Sequence, residues 1–263
     1  MHDAMERRFA FAQHLADIAG DIIRPYFRRR INVSNKGDAR LYDPVTEADR
    51  RAEEAMRAAI AREYPQDGII GEEYGESTGT SEFAWVLDPV DGTRAFIAGQ
   101  PLWGTLIGLE ISGRPALGVL DQPFLGERVI GRNKTAELRN AGGSMSLKTR
   151  ACSALSDAVI CTTHPFTHFR DEERARFFRV ERTCRLSRYG GDCYAYALLA
   201  MGFIDLVIEA GLKQWDIAAL VPIVEGAGGI FTDWNGNAGM KGGTVIAAGD
   251  ARLHEAALAL LAD

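Results

Sequence analysis

The sequence predicts an α/β protein of two lobes, each with helices layered on a β-sheet. A chain of 263 residues is long enough for one large domain or for two smaller lobes that share an interface. From residue 84 to about 148, apolar runs typical of strands are broken by glycine and proline, whereas strand-like and helix-like segments alternate after about residue 150. We therefore expect an N-terminal α+β lobe at 1–148 and a C-terminal α/β lobe at 149–263.

The composition excludes several classes of function. The chain is 46% hydrophobic and carries a net charge of −6, so no positive field favours nucleic acid or an anionic membrane. The N-terminus has acidic residues throughout, unlike a signal peptide, and no stretch approaches the ~18 apolar residues of a transmembrane helix. Cys152, Cys161, Cys184 and Cys193 fit no zinc spacing. We expect a cytoplasmic protein with free thiols.

Two helices are predicted before the first strands. Residues 4–27 have apolar side chains at helical spacing. Residues 47–63 form a second predicted helix, because Thr46 and Asp49 have the spacing of a capping box and Pro65 lies just beyond its end. The small residues on one face of this second helix suit close packing.

The remaining elements are predicted from the periodicity of the apolar residues and from the glycine and proline residues between them. The predicted strands of the first lobe are AWVLD, WGTLIGLEI, RPALGVLDQP and ERVIGR, with a hairpin turn at 112–115. Those of the second lobe are DAVICTT, FIDLVIEAG, GIFTDW and GTVIAAG. Its predicted helices are EERARFFRVER, DCYAYALLAMG, DIAALVPIVEGAGG and ARLHEAALALLA. Pro222 falls inside the third of these helices, where proline normally causes a kink.

Acidic residues stand where apolar elements end or begin. Asp88 and Asp91 follow the AWVL run, Glu72 follows the short strand signal GIIG, and Asp49 and Asp216 open helices. Such positions lie at an edge of the fold, where clefts form. Carboxylates that converge repel one another unless cations separate them, and ligands that are all oxygen favour magnesium, manganese or calcium over zinc.

A predicted anion site adjoins this cation site. Gly92 allows close approach of the backbone, and Gly92 with Thr93 begins a short helix whose free N–H groups face the same region as the Val90 carbonyl. A metal beside a helix N-terminus is what a phosphate group needs. Each motif is weak by itself, so the prediction depends on their combination and order. His164 and His168 lack a third nearby ligand and are expected to be loop or substrate-facing residues rather than zinc ligands.

This combination resembles the inositol monophosphatase superfamily of magnesium-dependent phosphomonoesterases. The matching segments are DPVTEAD (43–49), GEE (71–73), WVLDPVDGT (85–93) and WDIAALVPIVEGAGG (215–229). Within the superfamily the chain looks most like histidinol-phosphate phosphatases. The segments that carry this narrower likeness are PVTEADR, GTRAFIAGQPLWGTLIGL, GVLDQPFLGER and SRYGGDCYAYALLAMGFIDLVIEAGLK.

The resemblance implies a sugar-phosphatase-like α-β-α-β-α sandwich that forms a homodimer and holds two or three Mg²⁺ ions per active site. By this likeness the metal ligands are Glu72, Asp88, Asp91, Asp216 and the Val90 carbonyl. Glu72 also counts among the catalytic residues, together with Asp49 and Thr93, which help to orient the attacking water. We expect Asp49 to hold Thr93, which aims this water at phosphorus. The substrate-binding residues implied are Asp91, Gly92, Thr93, Arg188, Asp192 and Glu209.

The expected reaction is hydrolysis of L-histidinol phosphate in histidine biosynthesis, by direct attack of a metal-activated water. Histidinol carries a protonated amine and an imidazole, for which Asp192 and Glu209 are suitable acceptors. The alternatives are the same chemistry on inositol 1-monophosphate or on another small sugar or nucleotide phosphate. A non-catalytic scaffold would have lost at least one metal ligand, and a calcium-binding module would need a spacing that is absent here.

Overall fold

Two large β-sheets organise the chain. One layer of helices lies between them, and a further layer covers the outer face of each sheet. The computed structural model describes residues 2–30, 32–35, 44–132, 134–238 and 241–262. The α-helices in these ranges are α1 (His2–Ile23), α2 (Glu47–Glu63), α3 (Thr93–Ile97), α4 (Asp171–Glu181), α5 (Asp192–Ala200), α6 (Gln214–Ile217), α7 (Leu220–Gly226) and α8 (Ala251–Ala262).

The larger sheet lies within residues 68–146 and is mostly antiparallel. Its strands are β3 (Gly68–Gly71), β4 (Gly75–Ser77), β5 (Phe83–Asp91), β6 (Gly104–Ile111), β7 (Arg114–Gln122), β8 (Glu127–Arg132), β9 (Thr135–Asn140) and β10 (Gly143–Ser146). Their spatial order is β10-β9-β8-β7-β6-β5-β3-β4, and β3 runs parallel to β5. A separate two-stranded ladder joins β1 (Val33–Asn35) to β2 (Pro44–Thr46).

The smaller sheet lies within residues 159–248 and is mixed. Its strands are β11 (Val159–Thr162), β12 (Leu186–Tyr189), β13 (Leu206–Lys213), β14 (Ile230–Thr232) and β15 (Gly242–Ala248). The order is β12-β11-β13-β15-β14, with β11 parallel to both of its neighbours. This order brings the carboxyl ends of β11 and β13 side by side.

Three apolar cores show the layering. Helices α1 and α2 pack on the outer face of the larger sheet, where Met56 and Trp85 are buried. Helices α5 and α7 fill the space between the sheets, around residues such as Leu120 and Ile223. Helices α4 and α8 cover the far face of the smaller sheet, around Phe177. The predicted α-β-α-β-α sandwich is therefore confirmed.

Several predicted elements match the structure closely. Helix α2 spans the predicted residues 47–63 and begins with the predicted capping box. The first predicted helix is α-helical to Ile23 and then continues as a 3-10 turn over Arg24–Tyr26. The turn at 112–115 joins β6 to β7, with Ser112 and Gly113 at φ values of 49° and 75°. Positive φ at both central residues is the geometry of a tight hairpin turn.

The predicted helix DIAALVPIVEGAGG is wrong as a single element, because it is interrupted after Ile217 and starts again at Leu220. Pro222 is thus the third residue of α7, where its missing N–H has no partner within the helix anyway. The new helix lies very close to the larger sheet. A Cβ at Gly118 or Gly131 would overlap its backbone.

The central helical layer contacts both sheets, with α7 against β7 and β8 and α5 against β13. The division into lobes at 148/149 stays a prediction. None of the helices in the described ranges combines the length and apolar character needed to cross a membrane.

Candidate active site

A β-bulge near the end of β5 brings Asp88 and Asp91 to one side of the sheet. Residues three apart on a regular strand point to opposite faces. Here the register shifts, so that Asp88 pairs with Leu106 but Asp91 pairs with Gly104. The hydroxyl of Thr105, the residue between those partners, donates to the Pro89 carbonyl at 2.8 Å. A bulge of this kind redirects side chains, and both carboxylates line the same cavity.

Asp216 joins them from the central helical layer. It is the third residue of α6, and its Oδ2 accepts a hydrogen bond from the Lys213 N–H at 2.6 Å. Carboxylate oxygens of Asp88, Asp91 and Asp216 lie within 4.8 Å of one another. Glu72, in the turn after β3, lines the same cavity of about 440 Å³. The predicted carboxylate ligands are therefore brought together from three separate elements.

Burial and mutual repulsion disfavour the charged form of these acids. Burial, followed by the charge of Glu72, raises the pKa of Asp88 well above its ordinary value. Burial and then Asp91 do the same to the pKa of Asp216. Burial raises the pKa of Asp91 to about 6, although hydrogen bonds from Cys193 oppose the shift. A bound cation would relieve this repulsion.

The chemistry of the cluster fits a divalent metal ion. Asp88 Oδ1 is buried and has no hydrogen-bond partner among the described residues, which is costly unless another group binds it. The candidate donors are carboxylates together with the carbonyl of Val90, a residue that also lines the cavity. Donors that are all oxygen suit Mg²⁺, Mn²⁺ or Ca²⁺.

Gly92 and Thr93 form the predicted turn beside the acids. Gly92 is the N-cap of α3 with φ of 83°, and the first intrahelical bond runs from Phe96 N–H to the Gly92 carbonyl at 2.9 Å. A Cβ at Gly92 would approach Asp192 Cβ to 3.0 Å and Trp103 Cα to 3.1 Å. Glycine is therefore required both by the backbone conformation and by the available space.

Asp49 and Thr93 are close to the site but bond differently from the expectation that Asp49 holds Thr93. The Thr93 hydroxyl donates to the Val90 carbonyl at 3.0 Å. Asp49 accepts hydrogen bonds from the Thr46 hydroxyl and, at 3.1 Å, from the Thr46 N–H. Burial raises the pKa of Asp49 to about 6, and the charge of Glu72 contributes to the shift. Asp49 is thus near Glu72 but does not itself line the cavity.

Two more acids line the same cavity. Glu209, near the middle of β13, accepts hydrogen bonds from Thr163 N–H at 2.6 Å and from the hydroxyls of Thr162 and Thr163 at 3.1 and 2.9 Å. Burial nevertheless raises its pKa to about 8. Asp192, the first residue of α5, has an unusual φ of 43°. Burial and then Asp91 raise its pKa to about 7.

Arg188 is not among the residues that line the cavity. It lies on edge strand β12 in register with Cys161, and it is exposed. A contact between Arg188 and the substrate therefore stays a prediction. Within the segment SRYGGD, Asp192 begins α5 and lines the cavity, whereas Arg188 precedes the turn.

The sequence reasoning missed two basic residues that line the cavity, Lys213 and Arg94. The Arg94 guanidinium donates to His168 Nε2 at 2.7 Å, so this nitrogen is the acceptor. Burial, followed by the charge of Arg94, lowers the pKa of His168 to about 4. His168 lines the cavity, whereas His164 is not among the lining residues. The position of Arg94 next to the Gly92–Thr93 turn was the available signal.

Comparison with known proteins agrees with this geometry. The sequence model of the inositol monophosphatase family matches residues 4–263, and the chain belongs to that family. It is accordingly a phosphoric monoester hydrolase. A bifunctional phosphatase IMPL2 of Arabidopsis thaliana is 44% identical over 97% of this chain and 75% of its own length. The histidinol-phosphatase of Mycobacterium tuberculosis is 35% identical over 94% and 95% of the two chains.

The fold is also that of a solved family member. The structure of an inositol monophosphatase from Zymomonas mobilis superposes with a TM-score of 0.87 and 46% sequence identity, covering 99% of both chains. The predicted family and fold are confirmed, whereas the names of the relatives do not agree on one substrate.

Proposed function

We propose that the protein is a Mg²⁺-dependent phosphomonoesterase that hydrolyses L-histidinol phosphate to L-histidinol and phosphate. The observation that carries the substrate assignment is a second acidic group in the same cavity, Asp192 and Glu209, which we call the acidic wall. Both carboxyls have raised pKa values because they are buried. A ligand that brings a protonated amine between them would stabilise their charged forms.

The residues suited to hold Mg²⁺ are Glu72, Asp88, Asp91, Asp216 and the Val90 carbonyl. When bound there, Mg²⁺ would supply positive charge that stabilises the reacting phosphate. The chain itself provides the turn at Gly92 and Thr93, whose amides can hold phosphate oxygens. Because the Thr93 hydroxyl donates its hydrogen to the Val90 carbonyl, its oxygen can accept a hydrogen bond from a water and orient that water.

Direct attack by water fits the side chains in the cavity. Cys193 is the one cysteine that lines it, and burial raises the pKa of this thiol well above its ordinary value. A protonated thiol is a poor nucleophile. His168 is neutral and accepts from Arg94, and it does not contact the acidic cluster through a described hydrogen bond. No covalent phosphoenzyme is needed in this scheme.

Histidinol matches the acidic wall better than inositol does. A protonated amine forms charge-assisted hydrogen bonds with carboxylates, which are about twice as strong as neutral ones. Inositol offers only neutral hydroxyls. The histidinol-phosphatases of Mycobacterium tuberculosis and Chlorobaculum parvum, at 35% and 37% identity, support this choice.

Inositol monophosphate is the second candidate substrate. The Zymomonas mobilis structure at 46% identity is named an inositol monophosphatase. Hydrogen bonds from Thr162 and Thr163 fix the carboxylate of Glu209. This carboxylate could therefore accept a hydrogen bond from a substrate hydroxyl group. This candidate keeps the same chemistry at phosphorus and changes only the alcohol.

Three further proposals concern the oligomeric state, the cellular location and the pathway of the enzyme. We propose a cytoplasmic homodimer that acts in histidine biosynthesis on a small phosphorylated metabolite and binds neither nucleic acid nor membrane. All four cysteines are free thiols, which suits a reducing compartment. Leu186 and Tyr189 are 50% and 43% exposed on edge strand β12, a surface suited to contact with a second copy.

Substitutions in the acidic wall test the substrate assignment. Asp192→Asn and Glu209→Gln remove a charge while keeping shape. We expect each to raise KM for L-histidinol phosphate by about 10-fold or more, because a hydrogen bond to a charged group contributes about 1.5–3 kcal/mol. Hydrolysis of p-nitrophenyl phosphate, which has no amine, should change little. An unchanged KM for L-histidinol phosphate in both variants would contradict the assignment.

A further inference from the structure

Glu53 is a fully buried carboxylate that contacts the turn carrying Glu72. It lies on α2 and has 0% exposure. Its oxygens accept hydrogen bonds from the backbone N–H groups of Glu73 and Tyr74 at 2.8 and 3.1 Å. Arg57, one helical turn later, donates to Glu53 at 2.8 Å and supplies the compensating charge. None of these contacts belongs to the reaction described above.

Glu53 and Arg57 also contact the rest of the turn between β3 and β4. Arg57 donates to the Gly75 carbonyl and, at 3.2 Å, to the Ser77 hydroxyl. The Glu53 carboxylate lies against the backbone of Gly71, where a Cβ would overlap it. The turn between β3 and β4 is therefore bound to α2 at both ends and along its middle.

Helix α2 also carries Asp49, four residues before Glu53. Side chains at this spacing share one face of a helix. The face that holds the Glu72 turn is therefore the face that presents Asp49, whose carboxyl feels the charge of Glu72. On its other side, Glu72 is fixed by its N–H, which donates to the Leu87 carbonyl of β5 at 3.2 Å. One residue further along β5 is Asp88.

We propose that Glu53 is a positioning residue that sets the divalent-metal affinity of the site by fixing the turn that presents Glu72. This inference rests on the proposed role of Glu72 as a metal ligand. Without Glu53, the amides of Glu73 and Tyr74 lose their acceptor, and Glu72 is no longer held in one place relative to Asp88. Loss of a group that orients a metal ligand typically lowers metal affinity by about 10–100-fold.

Binding of Mn²⁺ to the purified full chain, followed by electron paramagnetic resonance, tests the proposal without using activity. The variants are Glu53→Gln, which keeps one acceptor oxygen, and Glu53→Ala, which keeps none. The matched control is Glu54→Gln, because Glu54 is the next residue on α2 and is exposed. We expect the Kd for Mn²⁺ to rise about 10-fold in Glu53→Gln and further in Glu53→Ala, and to stay at the wild-type value in the control.

Two further measurements separate positioning from a general loss of stability. At saturating Mg²⁺, Glu53→Gln should recover kcat to within about twofold of wild type, while the Mg²⁺ concentration for half-activation rises about 10-fold. Arg57→Met changes a half-buried residue, and we expect a smaller rise in Kd. It serves as the test if the Glu53 variants do not fold.

The outcomes distinguish this inference from the proposed function. Wild-type protein that binds no Mn²⁺ would overturn the proposed function itself. Wild-type protein that binds Mn²⁺, with folded Glu53 and Arg57 variants that bind it equally well, would overturn only the role of Glu53. A lowered melting temperature with unchanged Mn²⁺ affinity would likewise overturn that role.

Discussion

Asp88 and Asp91 direct their carboxylates into one cavity although they are three positions apart on a single strand. The bulge at Pro89 and Val90 is the cause, because it adds a residue opposite Thr105 and restores both side chains to the same face. It also places Val90, whose carbonyl is the remaining predicted donor, in the wall of the cavity. Three oxygen donors in a row thus come from one irregularity in the backbone.

Asp91→Asn should abolish most of the activity. The substitution keeps the size of the side chain but removes a charge from the cluster with Asp88 and Asp216. We expect kcat to fall by at least about 100-fold, corresponding to about 3 kcal/mol of lost transition-state stabilisation. Turnover is measured at saturating Mg²⁺, with Asp171→Asn, an exposed residue of α4, as the control. Wild-type turnover in Asp91→Asn would refute the metal role.

Thr93 allows a test of the hydroxyl by itself. Thr93→Val preserves shape and removes the group that bonds the Val90 carbonyl, whereas Thr93→Ser retains it. We expect about a 100-fold loss of kcat in the valine variant, since orienting the reacting water contributes on that order, and near-complete recovery in the serine variant. Equal kcat for the two variants would show that the hydroxyl does not act in the reaction.

Gly118 is expected to fix the position of Asp216 through packing. A methyl group there would overlap the backbone of Ala219, at the break between α6 and α7. Gly118→Ala should lower the free energy of unfolding by about 2 kcal/mol, as overpacking does, and should also weaken Mn²⁺ binding. Urea denaturation measures the first effect. Gly142→Ala, on an exposed turn, is the control and should leave both quantities unchanged.

The acidic cavity predicts an unusual pH dependence of stability in EDTA. Asp192 and Glu209 have folded pKa values of about 7 and about 8, against ordinary values of 3.8 and 4.5. Their folded forms therefore hold protons that the unfolded chain has released. The stability that these bound protons contribute to the folded state is fully present below about pH 4. It is lost as the pH rises through the folded pKa values.

The window from about pH 6.5 to about pH 8 isolates this effect. The lowered pKa of His168 acts in the opposite direction, but its influence ends near pH 6.5, the ordinary histidine value. We expect the melting temperature in EDTA to fall across the window and Mg²⁺ to restore it, because Mg²⁺ binds the folded state. Glu209→Gln should reduce the fall. A melting temperature that rises with pH in EDTA would contradict the electrostatics described here.

Elements with strong local signals can be predicted from the sequence. The capping box at Thr46 and Asp49 depends on neighbouring residues, so the predicted bounds of α2 are the observed ones. Asp88, Asp91 and Gly92 share one short segment, so their proximity follows from the sequence alone. The carboxylate cluster is predictable because each of its acidic residues stands at the end or start of an apolar element.

Features that depend on contacts distant in sequence could not be predicted in this way. The break before Leu220 comes with close packing against Gly118 and Gly131, which belong to the other sheet. The bond between Arg94 and His168 joins residues 74 positions apart. Glu53 resembles any other acidic residue on a helix until the turn it holds is seen. Short edge strands such as β12 carry too few residues for a periodic signal.

The most direct test of the proposed function is phosphate release by the purified protein from L-histidinol phosphate and from inositol 1-monophosphate, each with Mg²⁺ and with EDTA. We predict release that requires Mg²⁺ and a higher kcat/KM for L-histidinol phosphate. Mg²⁺-dependent release with equal or reversed preference would contradict the assignment of the acidic wall to a protonated amine. Release that persists in EDTA, or no release from either substrate with Mg²⁺, would contradict the account of the active site.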